Sequence, residues 1–158
     1  MKFKNVAMIM LIALFMSCGG KEKKVRSYNP SSVKKEAVKK VEQMVTVDLN
    51  NKGIGPIKVV EISSTINQAM ADKGKIIFKN KCSSCHKTNR KFIGPNPTGI
   101  LKIRSPEWVM NMILNPEEMV KNDPIAKELL IKFNGAPMVN QNLSRKEARQ
   151  VLEYYRTL

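Results

Sequence analysis

Apolar and polar positions divide the chain into stretches of different texture. Residues 6–16, VAMIMLIALFM, are an unbroken apolar run. Residues 19–40 are poor in large apolar side chains and carry eight Lys/Arg against two Glu. In residues 41–64, VTVDL alternates, NNKGIGP supplies turn residues, and IKVVEI resumes a β-rich pattern. That texture predicts a short hairpin or an extended arm. A two-stranded hairpin is barely stable alone, so this segment is expected to pack on the residues C-terminal to it.

From Ser63 onward the period is helical. SSTINQAMADKGKIIFKNKC opens on N-cap residues and places apolar side chains at Ile66, Ala69, Met70, Ile77 and Phe78. Gly74 inside that helix costs about 1 kcal/mol relative to Ala, which a close helix–helix contact would explain. KTNRKFIGPNPTGILKI reads as an irregular loop. Ser105, Asn115 and Asp123 each precede a proline, a cap-then-Pro signal for three helix starts. Gly135 suits the C′ position of the last of these. Ser144 with Glu147 forms a capping box for a closing helix whose apolar side is Val151, Tyr154, Tyr155 and Leu158. The sum is a small all-α fold of four or five helices with long loops.

The N-terminus reads as a targeting segment. Lys2 and Lys4 precede an apolar run of 11 residues, short of the about 20 a membrane span needs, so it suits a signal peptide. FMSCGGK resembles the lipobox of bacterial lipoproteins, with Cys18 acylated, although Phe15 and Met16 depart from the usual residues. Ordinary cleavage near Ser17 to Gly20 is the alternative, and both export the chain. The expected organisation is a lipoprotein-type signal peptide (1–17), a basic flexible tether (18–40), an extended arm or hairpin (41–64) and a helical domain (65–158).

Charge narrows the partners. Lys and Arg number 28 against 13 Asp and Glu, a formal net charge of +15. Such a balance favours an acidic protein, an anionic membrane surface or nucleic acid. Export makes nucleic acid the poorest fit. A domain of about 90 residues is also marginal on its own burial and often needs a covalent or metal-bound aid.

CSSCH, residues 82–86, suggests that aid. His86 is the only histidine in the chain. Cys82 and Cys85 lie one helical turn apart, so both thiols reach one face, where they can add to the two vinyl groups of a haem. The histidine beside them can then reach the iron. C-x-x-C-H reads as a c-type haem attachment site. Three alternatives are weaker. A zinc site wants four ligands, and no second histidine or further mature cysteine exists. A thioredoxin-like pair wants a βαβ setting. A Cys82–Cys85 disulfide would leave little core. For the second axial ligand, Met138 in the loop GAPMVNQN is favoured over Met44, Met70, Met110, Met112 and Met119, which lie in the arm or in helical patterns. Met138 could also cap the crevice without ligating.

The stretch from Ile66 to Leu158 resembles a class I monohaem cytochrome c. The resemblance rests on CSSCH, IGP at 93–95, GAPM at 135–138 and the closing helix SRKEARQVLEYYRTL. It implies an all-α cytochrome c-like domain around one covalent haem c. It also implies a crossing of the first and last helices at Gly74, Phe78 and Tyr154. Pro95 matches the proline whose carbonyl holds the proximal histidine. Arg104 and Trp108 match the polar residue and aromatic N–H used at the haem propionates. Asn140 is a candidate near the Met138 sulfur. The expected function is single-electron transfer with His86 and Met138 as iron ligands, not catalysis. The alternatives are a haem sensor or enzyme with an open sixth position, or a fixed haem subunit of a larger oxidoreductase.

Lys79, Lys81, Lys87, Arg90 and Lys91 flank the motif and would steer the domain onto an acidic-faced redox protein. RSPEWVMNMILNPEEMVKNDPIAKELL is similar to cytochromes that accompany anaerobic respiratory reductases, nitrous-oxide reductase among them. A terminal oxidase or peroxidase would serve equally. The expected location is the periplasmic side of a bacterial membrane, held by the lipid on Cys18.

Overall fold

The computed structural model describes residues 46–158. The expected signal peptide, Cys18 and tether lie outside them. The described residues form an all-α domain of five helices without a sheet: α1 Gln68–Ile77, α2 Pro106–Leu114, α3 Pro116–Asn122, α4 Pro124–Lys132 and α5 Arg145–Tyr155.

Caps explain most of the helix starts. Ser105 accepts from Trp108 N, Asp123 accepts from Ala126 N, and Ser144 with Glu147 forms the expected reciprocal box. Asn115 makes no side-chain cap bond; its Nδ2 donates to Ile54 O at 3.3 Å instead. The first helix begins later than the Ser63 signal suggests. Its cap is Asn67, which accepts from Met70 N at 3.0 Å. The Ser63 and Thr65 carbonyls are taken by the Arg156 guanidinium, so this stretch serves as an anchor for the last helix.

The crossing of α1 and α5 is as the resemblance implied. A Cβ on Gly74 would overlap the carbonyl of Gln150, so only glycine lets the two backbones meet. One turn on, the rings of Phe78 and Tyr154 lie 5.5 Å apart. Val151 and Leu152 are fully buried in the core with Trp108, Val109 and Ile113.

Residues 46–64 form no hairpin. They run as an arm over α2, with one isolated bridge from Asp48 to Arg104. The arm's backbone is satisfied by side chains instead of a partner strand. Asn111, wholly buried, donates to Lys52 O and Ile57 O and accepts from Ile57 N. Glu107 Oε1 accepts from Val60 N at 3.1 Å. Those bonds replace the ladder a second strand would have supplied.

Candidate functional site

Helix α1 continues into a π-turn, Phe78–Cys82, that delivers the cysteine motif. Such wide turns recur at functional sites. Cys85 N and His86 N both donate to Cys82 O, at 3.1 and 2.9 Å, so one tight turn gathers both thiols and the imidazole. Cys82 and Cys85 are not joined in a disulfide. Burial, and then the neighbouring Cys85, push the Cys82 thiol up to about 11. That is the reverse of what a nucleophilic redox thiol needs.

His86 is held from two sides. Its Nδ1 donates to Pro95 O at 2.8 Å, because a carbonyl can only accept. Nε2 is thereby left as the lone-pair nitrogen. A Cβ on Gly94 would come within 2.5 Å of the imidazole Cε1, so the glycine of IGP is there to let the chain pass the ring. The sequence shows IGP but not that reason for it.

A cavity of about 440 Å³ opens beside this turn. Its wall includes Cys82, Cys85, His86, Pro95, Arg104, Trp108 and Met138, while Asn140, the other candidate for the haem site, is not on it. Apolar side chains such as Ile113, Val120, Ile125 and Leu129 complete it. Among the described residues, no group of three or more His, Cys, Asp or Glu comes together as a metal site. Two thiols, an oriented imidazole and a thioether on one apolar cavity form a donor set that fits a covalently held haem.

Some details differ from the sequence reading. The Trp108 N–H is not free at the cavity; Nε1 donates to Asp123 Oδ1 at 3.1 Å. Arg104 is buried and donates to Thr46 O and Ile103 O, with its guanidinium 5.5 Å from the Trp108 ring. Burial pulls Arg104 down, while Asp48, Glu128 and Asp123 act in the opposite direction. Asn140 donates to Leu114 O at 3.4 Å and accepts from Asn142 N.

Two wall or near-wall residues escaped the sequence. Tyr155 lines the cavity, and burial pushes its phenol up; only its place on the apolar side of the closing helix hinted at it. Asp123 read simply as a cap, and nothing in the sequence marks its second use. Lys87 and Arg90 stand over the Phe92 ring at 5.2 and 5.5 Å. Lys91 lies 4.6 Å from the Phe133 ring centroid.

Comparison with known proteins agrees with this geometry. Cytochrome c from Rhodothermus marinus matches at 37% identity over 65% of this chain and 88% of its own, with a TM-score of 0.63. An engineered form of that protein, bound to a carbene intermediate, matches at 36% identity over 65% and 88%, TM-score 0.60. The cytochrome c domain of the pp3183 protein from Pseudomonas putida matches at 29% identity over 53% and 85%, TM-score 0.50. A search of curated proteins gave no match. The family model for cytochrome c matches residues 71–158, more than half of the chain, and the chain belongs to the cytochrome c family.

Proposed function

We propose that this protein carries single electrons on one haem c, attached through Cys82 and Cys85, with His86 and Met138 as the axial ligands. The observation that carries the reading is the fixed imidazole: Pro95 O holds Nδ1 and Gly94 passes the ring, in a cavity shared with both thiols and Met138. Bound there, haem c would supply a one-electron iron couple.

The chain's residues divide the remaining work. His86 is oriented and made a better donor by its carbonyl partner. Met138 brings a thioether from the loop between α4 and α5, which favours a higher potential than a second imidazole would. His86 and Met138 would both be committed to the haem iron, which would leave no place on it for a substrate. The apolar wall keeps water from the centre. The basic residues Lys79, Lys81, Lys87, Arg90 and Lys91 would orient the domain on an acidic-faced redox protein, a terminal reductase or oxidase. An acylated Cys18 would keep it at the periplasmic side of a bacterial membrane.

The test is an absorption spectrum of protein exported from cells that mature c-type haem. It is recorded oxidised, reduced, and reduced with carbon monoxide. Covalent low-spin haem that ignores carbon monoxide is expected. In Met138→Ala the haem stays attached, the potential falls and carbon monoxide binds. A variant with the parent's spectrum and potential would remove Met138 as ligand. A parent without haem would sink the proposal.

A further inference from the structure

The arm reaches the cavity wall through one buried carboxylate. Asp123 is 1% exposed. Its Oδ1 accepts from Trp108 Nε1 at 3.1 Å and Ala126 N at 2.8 Å. Its Oδ2 accepts from Asn51 Nδ2 at 2.7 Å. Three N–H donors suit a carboxylate, whose two oxygens only accept. Asn51 cannot turn its amide around, because its oxygen is held by Gly53 N at 2.7 Å. The backbone oxygen of Asn51 is held as well, by Ser105 Oγ at 2.6 Å.

Trp108 and Ala126 both line the cavity, and Asp123 stands immediately behind them. Asn51 precedes the family match, which begins at residue 71. The family pattern therefore accounts for the wall and not for the group that pins its charge.

We propose that Asn51 and Asp123 are positioning residues of the haem site: the arm fixes a buried carboxylate behind Trp108, and that carboxylate stabilises the oxidised iron and lowers the reduction potential. This rests on the proposed role as a haem-bearing electron carrier. A negative charge favours the more positive of two iron states, and a carboxylate 1% exposed is little screened by solvent. Asp123 stands one hydrogen bond from the wall, through Trp108 Nε1 at 3.1 Å.

Three variants of the full, haem-loaded chain test this. Asp123→Asn removes the charge and sets an amide N–H₂ against that of Asn51. The potential rises and the protein loses stability. The double variant Asn51→Asp with Asp123→Asn restores the bond in reverse, because a carboxylate at position 51 can accept from both Gly53 N and the amide introduced at position 123. Stability returns, while the potential stays above the parent's because the charge has moved away from Trp108. Asn51→Ala frees one face of Asp123, and exchange of the Trp108 indole proton, read by NMR in the reduced state, becomes faster. A purely structural role makes the double variant recover the parent's potential along with its stability. That result, an unchanged or lowered potential in Asp123→Asn, or an unchanged indole exchange rate in Asn51→Ala overturns the proposal. A parent that takes up no haem overturns the functional reading and this one together. A loaded parent whose variants share its potential overturns this one alone.

Discussion

The arm and the closing helix both lie against the same core, but different forces hold them. Helix α5 is bound by close apolar contact: its backbone meets α1 at Gly74, and Val151 and Leu152 are fully buried. In the arm, most of the apolar side chains face water. Val47 is 61% exposed, Leu49 52% and Val59 72%, while Ile57 is buried. What holds the arm is a set of polar side chains on the helical part, Asn111, Glu107, Ser105 and Asp123, each bonded to the arm's backbone or to Asn51. Burying a polar side chain costs free energy unless its bonds are made, so each such residue is committed to the arm. One face is thus secured by shape and the other by the penalty for leaving polar groups unpaired.

The largest effect is expected at the shape-secured face. Gly74→Ala drives a methyl into the Gln150 carbonyl, and backbone cannot step aside as a flexible side chain can. The expected loss is about 3 kcal/mol, seen as a lower urea midpoint and poor haem loading. On the arm side, Asn111→Ala orphans Ile57 N and the carbonyls of Lys52 and Ile57. The arm can peel and regain water, so the loss is held to about 2 kcal/mol. Amide exchange should quicken in residues 52–60 while α5 stays protected. If α5 loosens equally, the two faces are one cooperative unit and the contrast fails.

That contrast also explains what the sequence could show. Periodic features were legible: the α5 stripe, the proline-marked starts of α2, α3 and α4, and the awkward Gly74 all repeat or punctuate a helix. The CSSCH turn was legible because its chemistry is contiguous, and the structure places its three residues on one cavity with Met138. In the arm the same logic left a hairpin and an extended arm equally open, and residues 46–64 run as the arm. Alternation at Val45, Val47 and Leu49 suggested a strand face, yet Val47 and Leu49 are exposed and no strand forms among the described residues. Polar staples have no period. Asn111 sits mid-helix in an otherwise apolar segment, where a lone amide carries no sign of the segment it will hold 54 residues away. Likewise Trp108 gives no hint in sequence that Asp123 will take its N–H.

Glu153 joins the two regimes and gives the smallest effect. It lies on α5 and is wholly buried, bonded to Asn67 N at 2.7 Å and paired with Arg149 and Arg156. Arg156 in turn holds Ser63 O and Thr65 O, where the arm runs into α1. Burial raises the Glu153 carboxyl, but the Asn67 N–H and the two arginines outweigh it and hold it below its ordinary value. A carboxyl lowered by folding stabilises the fold above its unfolded value of 4.5, and that contribution fades as pH falls through the folded value. Glu153→Gln keeps an acceptor for Asn67 N and loses the charge. It should cost about 1.5 kcal/mol at pH 7, and the gap from the parent should close below pH 4.5 as the parent's carboxylate is protonated. Urea unfolding between pH 3 and 7 reads both. A gap that persists unchanged at pH 3 would mean that Glu153 acts by shape, as Gly74 does, and that the charge at this junction adds nothing to the hold of either face.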